Sequence, residues 1–410
     1  MIPRELLRAL FDAAIAAAQP SLRVPRFLPP KPKGRAVVVG AGKASAAMAK
    51  AGEDHWDAAM SGLVVTRYGH GAACRKIEIV EAAHPVPDAA GMNGAARMRE
   101  LVRGLGPDDL VLALISGGGS AVLSLPAPPV TLDELRALTS ALLKSGANIV
   151  EMNTVRKHLS SIAGGRLAQA AFPARVRTLA ISDVPGDDPS TIGSGPTVPD
   201  PTTLGQARAV LAKYGIEASA GIARRLADPA AETPKTLANA EYELIAAPLQ
   251  SLDAAAALAR KHGYAVHSLG PDVEGESRDV AREHADLARA IRAGRGPVEP
   301  PCVILSGGET TVTVRGKGRG GRDAEFALAL AVELDGMAGV WGIAGDTDGI
   351  DGTEDNAGAL VTPDTLVRGP AAKEFLANND AYSYFKALGD LVVTGPTHTN
   401  VNDFRAIVIE

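Results

Sequence analysis

Cysteine is nearly absent from this chain. Only Cys74 and Cys302 occur in 410 residues. They are too far apart for a metal-binding spacing, and such sparing use fits a reducing compartment, so a cytoplasmic location is expected. Aromatic residues make up only 4 %, which leaves aliphatic side chains to fill the cores. Positive charge is not in excess: the formal net charge is −5, and no electrostatic footprint for nucleic acid exists. No run approaches the 18 apolar residues of a membrane span. The first segment, "MIPRELLRALFDAAIAAAQP", is broken by Asp12. It spaces Leu6, Leu7, Leu10 and Phe11 as an amphipathic helix does, not as an export signal does. A Walker A motif is missing too: Val37 stands five residues before Gly42, and Ala44 follows Lys43.

What is present is alternation. Short apolar runs at residues 36–39, 62–66, 110–115, 176–181, 243–246, 264–269, 302–305 and 340–344 are separated in several places by helical patterns. The clearest helix follows Thr131, where Glu134 completes a capping box and Gly146 offers a C-cap. Such alternation predicts an α/β fold with mainly parallel sheets. The last run, "DFRAIVIE", alternates Arg405 with apolar neighbours and reads as a strand near an edge. The polar, proline-bearing stretch Ala227–Leu237 predicts a boundary between domains at 1–230 and 231–410.

Five clusters carry possible chemistry. In "RAVVVGAGKASAAMAK", a strand, the glycines Gly40 and Gly42 and a helix start make an anion site beside Lys43. A dinucleotide fingerprint would need an acidic residue about 20 residues on, but the next strand ends in Arg67. "LALISGGGSAVL" and "VILSGGETTVTV" both run from a strand into Ser-Gly-Gly: Ser116, Gly117, Gly118, Gly119 and Ser120 in one, Ser306, Gly307, Gly308 and Glu309 in the other. Each can form a backbone nest for phosphate oxygens. "ISDVPGDDPSTIGSGPT" places Asp183, Asp187 and Asp188 at the end of a strand, which suits Mg²⁺. "GKGRGGRDAEFALALA" sets Lys317, Arg319 and Arg322 before a helix, where cations are unfavourable unless an anion joins them. "AGDTDGIDGTED" looks like a calcium loop, but Ile350 stands where a ligand is needed and Asp351 comes one residue late.

Taken together and in order, "GAGKAS", "HPVPD", "ISGGGSA", "MNTVRKHLSSIAGGRLA", "SDVPGDDPSTIGSGPT", "SGGETTVTV", "GRGGRDAEFALALA", "AGDTDGIDG" and "TGPTHTNVNDFR" resemble the glycerate 2-kinase family, whose C-terminal half is called MOFRL. Two departures stand out. The family commonly reads Gly-Gly-Arg-Asn-Gln-Glu where this chain has "GGRDAE" (residues 320–325), and Gly-Thr-Asn where it has "HTN" from His398.

The resemblance implies an N-terminal Rossmann- or flavodoxin-like three-layer domain, a C-terminal MOFRL-type mixed α/β domain, and a cleft between them. It implies transfer of the ATP γ-phosphate to the 2-hydroxyl of D-glycerate with Mg²⁺, by a monomer or homodimer. Lys43 and Arg322 map onto the family's central lysine and arginine. Asn153 and Lys157, in the "MNTVRKHLS" motif, join the glycine loops as candidate substrate or nucleotide contacts. Asp183 is the candidate proton acceptor and Asp187 the candidate metal ligand, although the residues leave the two roles interchangeable. Some relatives carry the label hydroxypyruvate reductase, so an NAD(P)H-dependent reductase is the alternative. The missing ribose-binding carboxylate and the lack of a His–carboxylate pair weigh against it, whereas cations, carboxylates and glycine nests suit phosphoryl transfer.

Overall fold

The structure, a computed structural model, describes residues 1–84 and 86–410. Pro85, inside the His84–Asp88 motif, lies outside the described residues. The chain divides into two compact units. One is residues 20–245; the other joins residues 1–19 to residues 246–410. No helix among the described residues is long and apolar enough to cross a membrane.

The first unit is built on six strands: β1 (Ala36–Ala41), β2 (Met60–Arg67), β3 (Ile77–Ala82), β4 (Leu110–Ser116), β5 (Arg175–Ile181) and β6 (Ala240–Ala246). Their order is β3-β2-β1-β4-β5-β6, and the pairs from β3 through β5 are parallel. Every residue of β1 and β4 is buried, so both faces are covered, as parallel sheets require. Val37, Val39 and Val111 meet Ala95 and Met98 of the helix Ala89–Leu101. A separate aliphatic cluster, including Leu138, Leu142, Val155 and Leu211, joins helices from the stretch 132–227. The expected capping box at Thr131 and Glu134 and the left-handed Gly146 are both present.

The second unit carries β7 (Ala265–Ser268), β8 (Gly275–Glu276), β9 (Cys302–Gly308), β10 (Thr310–Thr311), β11 (Val340–Asp346), β12 (Gly358–Val361), β13 (Leu391–Val392) and β14 (Asp403–Ile409). Its six-stranded sheet has the order β13-β12-β11-β14-β9-β7. Within that sheet β7 and β9 pair in parallel, and β14 runs antiparallel to both neighbours; β8 and β10 form a separate parallel pair. The expectation of mainly parallel sheets therefore holds for the first unit and fails for the second. The edge placement of "DFRAIVIE" fails as well, because β14 is central and buried throughout. Phe404, Ala406 and Val408 face Leu6, Leu10 and Phe11, while Ile407 and Ile409 face Phe326 and Leu330. Arg405 is the reason for the difference. Its charge suggested solvent, but it is fully buried against Asp403 at 2.6 Å and over the Phe326 ring.

The division also falls elsewhere than residue 231. β6 completes the first sheet, so the chain stays with that unit to Ile245. The amphipathic helix Pro3–Ala17 buries Leu6, Leu7, Leu10 and Phe11 in the second unit, against the helix Pro248–Lys261 and the sheet. The polar stretch near residue 230 is thus an internal loop. Proline and polarity mark an exposed connection, not which sheet the next strand joins.

One acid-sensitive anchor follows from the first unit. The Glu53 carboxylate accepts backbone N–H groups from Arg75 at 2.8 and 2.9 Å and from Lys76 at 2.8 Å. Burial alone would raise its pKa, but these donors and the Arg75 side chain hold it down at about 2. The bonds favour the folded state fully above about pH 4.5, the ordinary glutamate range, and are lost as pH falls toward 2. Glu53→Gln is expected to cost roughly 1.5–3 kcal/mol at pH 7. In urea titrations the gap to the wild type should be constant above pH 5.5 and shrink by pH 3.

Candidate active site

In the first unit the chemistry gathers where β1, β4 and β5 end, the usual ligand edge of a parallel sheet. Gly42 has φ +129°, and a Cβ there would lie 2.3 Å from Ser116 Oγ. The Ala44 N–H donates to Ser116 Oγ at 3.0 Å, and the Lys43 N–H donates to the Gly117 carbonyl at 2.8 Å. The two strand ends are thereby clasped. A Cβ on Gly117 would stand 1.8 Å from Asp183 Oδ2; one on Gly118, at φ +77°, would stand 3.2 Å from both Lys43 Cγ and His84 Nε2. Lys43, Asp183 and His84 therefore converge on the Gly117–Gly118 turn. A lysine stem and a carboxylate thus flank the same bare backbone, residue types that can offset phosphate charge and accept a hydroxyl proton.

The remaining candidates of this unit separate into two kinds. Ser116 is fully buried, and its hydroxyl is occupied in the clasp. Gly119 lies against Ala41 and Gly193, and Ser120 Oγ is 2.7 Å from Ser194 Oγ. Gly40 is required by its neighbour, since a Cβ would meet the Leu114 carbonyl at 2.5 Å. Lys157 is buried in an ion pair with Asp200 at 2.7 Å, and Asp200 also binds the amide and hydroxyl of Thr202. It fixes a loop and is not presented to a ligand. Asn153 is buried with its Oδ1 unpartnered. Asp188 closes its own turn on Ser190 and Thr191; burial would raise its pKa, but those bonds lower it. Asp187, at φ +54°, has a buried unpartnered Oδ1, but it belongs to no group of three potential ligands among the described residues.

Such a group exists in the second unit. Single oxygens of Asp323, Asp346 and Asp403, all buried, lie within 4.8 Å of one another. Asp346 ends β11 and Asp403 opens β14, directly opposite in the antiparallel register. Asp323 sits in the first turn of the helix Arg322–Leu334. Like charges placed opposite each other on a strand pair repel, so the arrangement needs cations. Arg322 supplies one: it reaches Asp403 at 2.8 Å, Asp346 at 3.1 Å and Glu309 at 2.5 Å. Burial alone would lower its pKa, but these carboxylates push it far above the usual range. Arg405 supplies another, on the second oxygen of Asp403. Asp323 has neither: both its oxygens are buried without a partner. Burial, then the charges of Asp403 and Asp351, push its pKa well above normal. An orphan carboxylate facing two more is a donor set for a small hard cation, and Mg²⁺ fits it.

Arg322 is thus met by the protein's own carboxylates, not left as an open cation on a flexible loop. The glycines before it serve close approach. A Cβ on Gly316 would meet the Asn378 carbonyl at 2.1 Å, and one on Gly321 the Asp351 carboxylate at 2.0 Å. Asp351 caps the helix through the N–H groups of Asp323 and Ala324. The loop after Asp346 is a chain of side-chain turns, with Asp346 accepting from Asp348 and Asp348 from Ile350, so the calcium-loop likeness is superficial. The second Ser-Gly-Gly is not an open nest either. Ser306 Oγ bonds buried His284 at 2.8 Å, and a Cβ on Gly308 would meet Val273 backbone at 2.3 Å. The Gly307 N–H donates to the Gly270 carbonyl at 2.9 Å, so the loop after β7 crosses it. His284 stays neutral because burial lowers its pKa to about 4.

The comparisons with known proteins agree with this architecture. Residues 6–227 match a family described as a domain of unknown function, DUF4147, and residues 302–403 match the MOFRL family. The chain is 56 % identical to a putative hydroxypyruvate reductase from Agrobacterium vitis, over 99 % of this chain and 94 % of that one. It is 42 % identical to D-glycerate 2-kinase from Thermotoga maritima, over 98 % and 97 %. A crystal structure of glycerate kinase from Thermotoga maritima superposes with a TM-score of 0.91 at 40 % identity, over 99 % of both chains.

The carboxylate set yields a stability prediction. Arg322→Ala leaves Asp346 and Asp403 buried without their shared cation, which is expected to cost about 3–5 kcal/mol. Arg322→Lys keeps the charge but loses the three-way fork and should fall between. Thermal unfolding in metal-free buffer measures both. An Arg322→Ala protein melting with the wild type would show that the network contributes nothing.

Proposed function

The chain belongs to the glycerate 2-kinase family, and on that premise we propose that it transfers the γ-phosphate of ATP to the 2-hydroxyl of D-glycerate, forming 2-phospho-D-glycerate and ADP. The observation that carries the reading is the convergence of Lys43 and Asp183 on the Gly117–Gly118 turn. Asp183 accepts the proton of the attacking hydroxyl. Lys43 is a compact charge that follows phosphate oxygens as their charge shifts. The bare backbone of Gly117 and Gly118 lets a ligand come close. Asp323, Asp346 and Asp403 would hold Mg²⁺, in place of the Asp187 expected from sequence. An ion held by these three residues would supply the positive charge that phosphoryl transfer calls for. Arg322 holds two of these carboxylates in position.

A reductase reading finds less support. β2 is the strand that should end in a ribose-binding carboxylate; it ends in Arg67. Gly42 is needed for packing on Ser116, so the Gly-x-Gly has a cause other than a dinucleotide.

The test is product analysis. With ATP, Mg²⁺ and D-glycerate, enolase without phosphoglycerate mutase should consume the product directly, which identifies the 2-phosphate. Oxidation of NADH or NADPH by hydroxypyruvate, with no ADP from glycerate, would reverse the assignment. Lys43→Ala should lower kcat/KM by about 10²-fold or more, roughly 3 kcal/mol, with little change in melting temperature. Asp323→Asn removes the orphan carboxyl group. It should raise the metal-free melting temperature and abolish the further rise that Mg²⁺ gives the wild type.

A further inference from the structure

A small cavity in the first unit is lined by Ser120 and Ala121, the residues that follow the Gly117–Gly119 turn. Its volume is about 40 Å³, on a scale where one water needs roughly 10–15 Å³. That excludes a nucleotide and suits one end of a small molecule. Arg156 and Arg136 line it, and among the described residues no acidic side chain does. Arg136 is tied to the Pro87 carbonyl and to Asp133. The Arg156 guanidinium is half-buried and has no hydrogen-bond or carboxylate partner among the described residues. Burial alone acts on it and lowers its pKa. An unpaired guanidinium drawn out of water is costly unless an anion joins it.

Hydroxyls line the cavity too. Ser120 and Ser194 share one hydrogen bond at 2.7 Å. Two hydroxyls sharing one bond leave one O–H to donate elsewhere. Ser194 is held at φ +61°, a left-handed conformation that non-glycine residues rarely adopt and that recurs in ligand clamps. Ser120 follows directly on the turn where Lys43 and Asp183 converge.

We propose that this cavity is the carboxylate subsite for a small hydroxy acid, with Arg156 gripping the carboxylate through its planar fork and the Ser120–Ser194 pair donating to the same end. The choice of D-glycerate as occupant rests on the kinase reading; the preference for a small carboxylate does not. An acid gripped here presents its hydroxyl toward the Gly117–Gly118 turn, and an uncharged polyol such as glycerol lacks the group that Arg156 binds.

Isothermal titration with D-glycerate and with glycerol tests the subsite, beside steady-state ADP formation. The wild type should bind D-glycerate and not glycerol. Arg156→Gln should weaken D-glycerate binding at least 30-fold and leave the KM for ATP within twofold. Ala121→Leu fills the cavity from its partly exposed wall with Arg156 intact, so it carries the test if Arg156→Gln lowers the melting temperature; it should lose glycerate binding equally. Either folded variant binding D-glycerate as the wild type does would overturn the subsite, as would a wild type that does not bind it. A wild type that binds D-glycerate through Arg156 but forms no ADP from it would uphold the subsite and defeat the kinase reading. Unchanged binding in the variants with normal turnover would do the reverse.

Discussion

Charge balance around Asp403 is the constraint on which the second unit depends. Its carboxylate is fully buried in the first residue of a central strand, with Arg322 on one oxygen and Arg405 on the other. A buried carboxylate without a cation is among the costlier things a fold can contain. Several other features follow from satisfying it. Arg405 must lie inside the sheet, so β14 is buried on both faces. Arg322 must begin its helix beside the strand end, which brings Asp323 into the same enclosed space and leaves it without a partner. The glycines at 316, 318 and 321 are then required because backbone at 351 and 378–380 presses against the approach to Arg322.

Two loops of nearly the same sequence show how context divides structural from chemical roles. After β4, Gly117 and Gly118 lie beneath Asp183, Lys43 and His84, and the serine before them closes a backbone clasp. After β9, Gly307 and Gly308 lie beneath the backbone of residues 270–273, and the serine before them is bonded by a neutral histidine. Small residues at the end of a strand admit whatever comes nearest. In one loop that is charged side chains, and in the other it is more chain.

Adjacent residues on the helix Ile149–His158 divide in the same way. Lys157 turns inward to Asp200, whereas Arg156, one residue earlier and so about 100° around the helix, reaches a cavity with no acid in its lining. Two cations next to each other in sequence thereby acquire opposite roles. Nothing in their chemistry alone predicts which is which.

Much was legible in the sequence by itself. Period-2 and period-3.6 patterns, the capping residues at Thr131 and Glu134, and the order of nine motifs determined the α/β class, most strands of the first unit and the family resemblance, because these signals are local. The convergence of the Gly42–Lys43 turn with the Gly117 loop was also within reach, since parallel strands bring their C-terminal ends together. The tertiary structure alone decided the rest. It placed the helix at Pro3–Ala17 with residues some 240 positions away, set β14 in the middle of its sheet, and put Asp346 opposite Asp403 through a register that joins residues 57 apart. It also showed which cations are spent inside the protein. Long-range pairing carries no mark in the local pattern, and the free energy of a buried charge is fixed by its neighbours in space, not by its neighbours along the chain.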